Sequence, residues 1–80
     1  MKEARLFEIV AEALELEVEN VSLDTSTENV EEWDSLGHIT ILSALDDETG
    51  GETSELPDLT QAVSVRELLE VLKANDMINA

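Results

Sequence analysis

The sequence predicts a small all-α domain: a bundle of three main helices plus one short helix, with a long first loop. Three observations predict it. Apolar residues recur at helical spacing around residues 3–15, 35–49 and 64–73, and no stretch alternates with period two for long enough to build a sheet. Gly50-Gly51 and Pro57 break the chain between the second and last helical patterns. The chain has 80 residues and no internal repeat, which leaves room for a single domain over 1–80, with its core in about 3–73.

The first helix is expected over 3–15, with Leu6, Phe7, Val10, Ala13 and Leu14 as its apolar stripe and Glu8, Glu12 and Glu15 off it. Residues 16–33 lose the period. Leu16, Val18, Val21 and Leu23 lie scattered among acids, Asn and Ser, so this is read as a long loop, with Thr25 and Glu28 capping one short turn. A second helix runs from about Ser35 to Thr49 and is ended by the two glycines. Residues 50–58 are loop, and Pro57 or Asp58 starts a single turn through Ala62. The last helix has the clearest start. Ser64 and Glu67 form a capping box, Val63 and Leu68 stand where a hydrophobic staple needs them, and Val65, Leu68, Leu69 and Leu72 make the stripe, with fraying after Lys73.

Charge dominates the composition. Twenty acids face four bases, for a formal net charge of −16, and residues 6–65 contain no Lys or Arg. Nucleic acid and anionic membrane would be repelled, whereas basic protein surfaces would be attracted. An apolar fraction of 42% and the helical periodicity argue against the disorder that such charge usually signals. The chain has no cysteine, which fits a reducing compartment and excludes disulfides and thiolate metal sites. Glu3, Glu8 and Glu12 interrupt the apolar start, unlike a signal peptide, so a cytoplasmic chain is expected. No apolar run approaches the ~20 residues of a membrane span.

Few residues offer chemistry. Ser35 and His38 share a helix face, but Trp33-Asp34-Ser35-Leu36-Gly37 matches only the second half of a nucleophile elbow, and His38 is read as an exposed helix residue. Residues 46–57 have a glycine at the sixth place of an EF-hand-like loop but Pro57 at the twelfth, so the bidentate ligand is missing and no metal site is expected. Loose binding of divalent ions to clustered carboxylates is the weaker option, as in an ion buffer. Ser35 itself has two readings. It is the helix cap or an ordinary first-turn residue, or Asp34 is the cap and Ser35 stands at the first helical position. In the second case its hydroxyl points outward beside the positive end of the helix dipole, a setting that suits a phosphate group.

Asp34-Ser35-Leu36 opening an amphipathic helix, in an acidic chain of this length and helix order, resembles the acyl carrier proteins over about residues 3–73. The resemblance implies a non-catalytic carrier whose Ser35 bears 4′-phosphopantetheine, placed there from coenzyme A by a phosphopantetheinyl transferase. The arm would hold acyl groups as thioesters for partner enzymes, through the high effective concentration of a tether. It also implies a monomer served by an acyl-loading or adenylating enzyme and by synthase enzymes with basic docking patches. Asp46, Asp47 and Glu48 would meet those patches, with Leu36 as the apolar contact near the arm. Leu36, Ile39, Leu42, Leu45, Val63, Leu68 and Leu72 are the candidates for the interior that shelters the acyl chain. Departures from the family pattern are Gly37, Ser43, and the polar loop from Thr49 through Glu55. They suit a specialised pathway, such as polyketide, lipid, amino-acid or cell-surface synthesis, rather than standard fatty-acid synthesis. An aminoacyl, peptidyl or D-alanyl carrier shares the same fold. An acidic helical interaction module without cofactor is the rival from another class.

Overall fold

The computed structural model describes residues 1–78. Four helices are present: α1 (Glu3–Leu14), α2 (Ser35–Thr49), α3 (Pro57–Gln61) and α4 (Val65–Ala74), with 3₁₀ turns at Val18–Asn20 and Glu52–Glu55. The fold class is small and all-α, with no strand among the described residues. The radius of gyration, 11.2 Å, is close to the ~12 Å typical of a folded chain this long.

α1 buries Leu6, Ile9, Val10, Ala11 and Leu14. The face is rotated slightly from the predicted stripe, since Phe7 and Ala13 pack only at its edge. The helix ends on Glu15 in the left-handed region at φ 58°, and its N–H caps the carbonyls of Ala11 and Glu12. Such a cap usually falls to glycine, because a Cβ crowds the backbone there.

The long first loop is pinned rather than loose. Val21, Thr25 and Trp33 are buried, and Trp33 keeps 2% of its surface. Residues 25 and 27 run beside the start of α4: Thr27 N–H donates to the Val63 carbonyl at 3.0 Å, and Val65 N–H donates to the Thr25 carbonyl at 2.9 Å. Arg66 N–H reaches the Leu23 carbonyl at 3.2 Å, and Glu67 N–H reaches Ser64 Oγ at 3.2 Å. The loop thus satisfies the first two orphan amides of α4, and the Ser64 side chain satisfies the third. Thr25 plays a different part from the predicted cap with Glu28. Its hydroxyl accepts from Ser22 N–H at 2.9 Å, while Ser26 Oγ receives Glu28 N–H. The Ser64 cap forms as predicted, but Val63 is 48% exposed.

α2 buries only Gly37, Ile41 and Leu45, one narrow line at four-residue spacing. A Cβ at Gly37 would fall inside contact distance of the Glu32 carbonyl oxygen and 2.8 Å from Leu14 Cδ2. Glycine therefore lets the start of α2 lie directly on the preceding loop and on α1. Gly50 (φ 67°) closes the helix in the left-handed region, as the pair of glycines predicts.

Candidate functional site

The site lies at the start of α2. Asp34 is extended and its Oδ1 accepts Gly37 N–H at 2.9 Å. This is the arrangement in which Asp34 caps and Ser35 occupies the first helical position. Ser35 is exposed, and nothing in the helix start uses its hydroxyl.

Beside it stand apolar side chains in the open. Leu36 is 75% exposed and Ile39 61% exposed. Three of the residues expected in the interior, Leu36, Ile39 and Val63, are therefore surface residues; Leu42 is half-buried, and Leu45, Leu68 and Leu72 are core. The cause is the Gly37 contact, which turns the 37/41/45 line inward and leaves 36 and 39 outside.

His38 is not the exposed, idle residue expected. Trp33 Nε1–H donates to His38 Nδ1 at 3.0 Å, and His38 Nε2 lies 3.1 Å from the carbonyl oxygens of Leu59 and Thr60. The ring centroids lie 6.1 Å apart with 19° between the planes, the side-by-side arrangement that an in-plane N–H···N bond requires. One imidazole thus ties the loop before α2 to α2 and to the end of α3. The signal in the sequence was the single Trp, whose indole N–H needs a partner when buried.

Two cavities flank this clasp. One of about 460 Å³ is walled by Trp33, Asp34, Ser35, His38 and Val63. The other, about 500 Å³, lies between α2 and α3, with Leu42, Asp46, Thr53, Leu56 and Leu59 in its wall. Ile39 and Thr60 line both, so these two residues stand between them.

The acids of α2 do not act as one free row. Glu48 pairs with Arg5 at 3.1 Å, and Arg5 also reaches Glu8 at 3.2 Å. These carboxylates, Glu48 first, hold the Arg5 guanidinium above its ordinary range. Asp46 is half-buried in the cavity wall and accepts from Thr53 Oγ1 at 3.4 Å. Asp47 alone of the three is exposed without an ion pair or hydrogen bond among the described residues. No group of three or more His, Cys, Asp or Glu side chains is arranged to hold a metal among the described residues. No helix there is long and apolar enough to cross a membrane.

Compared with protein-family models, with curated proteins and with solved structures, the chain matches none.

Proposed function

We propose that this chain is an acyl carrier protein, with Ser35 as the attachment point of 4′-phosphopantetheine. One observation carries the reading. Asp34 takes over the capping task and leaves the Ser35 hydroxyl exposed at the first position of a 15-residue helix. The helix dipole there favours the phosphate diester that attachment creates. The residues fit the group: the hydroxyl is open to an incoming enzyme, and Leu36 and Ile39 offer apolar contacts alongside.

In the modification, Ser35 Oγ bonds to the phosphorus that bears pantetheine in coenzyme A. The pyrophosphate link breaks, adenosine 3′,5′-bisphosphate leaves, and the serine proton passes to a base of the transferase. The terminal thiol then exchanges acyl groups among partner enzymes, whose basic patches are drawn to a chain of charge −16. The carrier itself catalyses nothing. Cargo in a polyketide, lipid or related specialised pathway suits the polar 49–55 segment.

The test is whole-protein mass after incubation with coenzyme A and a promiscuous phosphopantetheinyl transferase. The expected gain is one phosphopantetheine on the wild type and none on Ser35→Ala. No gain on the wild type would favour the acidic interaction module. An equal gain on Ser35→Ala would move the site elsewhere.

A further inference from the structure

We propose that the cavity between α2 and α3 receives a short acyl group whose far end carries a positively charged amine, with Asp46 as the carboxylate that takes the ammonium. The proposal rests on Ser35 as the attachment point and names the class of cargo.

The wall of this cavity is mixed. Ile39, Leu42, Leu56 and Leu59 supply apolar surface that suits methylene groups. Within the same wall Asp46 is half-buried. Its one side-chain hydrogen bond is from Thr53, at 3.4 Å, and Thr53 is itself 6% exposed. A carboxylate can accept at roughly four lone-pair sites, so capacity is left for an incoming donor. Glu55 adds a second acid to the lining, and neither Lys nor Arg lines it.

These groups choose among cargoes. A saturated chain would set methyl groups against a carboxylate and strip it of water without replacing the lost hydrogen bonds. A chain ending in a carboxylate would face like charge. An ammonium satisfies both the charge and the open acceptors, with a charge-assisted hydrogen bond. There is also a route. Ile39 and Thr60 line both this cavity and the one beside Ser35, so a group tethered at Ser35 crosses the exposed Ile39 to reach Asp46.

The experiment compares three N-(2-acetamidoethyl) amides, stable analogues of N-acetylcysteamine thioesters that cannot expel a thiol by ring closure, titrated into the 80-residue chain and followed by amide NMR. They carry 4-aminobutyryl, pentanoyl and succinyl groups; the first two have nearly the same shape. The amine probe should perturb Asp46, Thr53 and Leu59, with a midpoint about fivefold below that of the pentanoyl probe, as one partly exposed charged hydrogen bond implies. Succinyl should bind least. Asp46→Asn should abolish the preference, and Thr53→Val, which keeps the carboxylate, should retain it. Should Asp46→Asn not fold, added salt must still shrink the preference in the wild type. A pentanoyl midpoint equal or lower, or a preference unaffected by salt and by Asp46→Asn, overturns the proposal. The transferase assay separates the two readings. A chain that is loaded but shows no amine preference loses only the cargo assignment. A chain that prefers the amine but is never loaded loses the carrier reading.

Discussion

Trp33 and His38 are joined through a single hydrogen bond, indole N–H to Nδ1 at 3.0 Å, and the other ring nitrogen of His38 reaches two carbonyls of α3. An imidazole that accepts at Nδ1 carries its proton at Nε2, so the partners assign the neutral tautomer that donates to Leu59 and Thr60.

Replacing His38 by Phe keeps a ring but removes every one of these bonds. It leaves the buried indole N–H without its partner. The expected loss of stability is about 1–3 kcal/mol. Urea unfolding followed by Trp33 fluorescence reads it directly, since Trp33 is the only Trp. A midpoint equal to that of the wild type would mean that the clasp contributes nothing.

Gly37→Ala is expected to be worse than its size suggests. The added methyl meets the Glu32 carbonyl and Leu14 Cδ2, and backbone cannot move aside as a flexible side chain would. In an ordinary helix the change would help by about 1 kcal/mol, through propensity. Here overpacking should reverse the sign, with a net loss of about 1–3 kcal/mol. Thermal unfolding by circular dichroism decides, and a raised melting temperature would contradict the close approach.

Asp34 and Ser35 are neighbours with separate tasks. Asp34→Ala removes the acceptor for Gly37 N–H and should lower stability by about 1 kcal/mol. Ser35→Ala removes no bond of the helix start and should stay within about 0.5 kcal/mol of the wild type. If Ser35→Ala proves the more damaging of the two, Ser35 is the cap and its hydroxyl is not free.

The docking face is expected to depend on Asp47 more than on its neighbours, because Glu48 is held by Arg5 and Asp46 by the cavity wall. From Ser35 to Asp47 is twelve residues, roughly 18 Å along the helix at ~1.5 Å per residue. A partner lying along α2 would span both ends. Asp47→Lys should leave the fold intact and slow phosphopantetheine transfer severalfold, mainly through association, with the defect shrinking as salt rises. Glu12→Lys on α1 makes the same change of net charge. An equal slowing by Glu12→Lys would reduce the effect to net charge alone.

The sequence by itself determined the elements that depend on neighbours in the chain. The boundaries of α2 and α4, the glycine stop at Gly50, the proline start of α3, and the Ser64 cap all rest on contacts within a few residues. Hence the place of Ser35 at a helix start was legible, although the choice between Ser35 and Asp34 as cap was not. Only the tertiary structure decided which side of α2 faces inward. Its apolar residues at 36, 39, 41, 42, 44 and 45 surround most of the helix, so periodicity could not select one line. The close approach of Gly37 to Glu32 and Leu14 selected 37, 41 and 45, and set Leu36 and Ile39 in the open. The role of His38 was hidden for the same reason. Its partners at Leu59 and Thr60 lie 21 and 22 residues away, and only packing of α3 against α2 brings carbonyl and imidazole together. Likewise Asp46 and Glu48 read as one acidic row, but helix geometry turns them to different neighbours, Thr53 for one and Arg5 for the other.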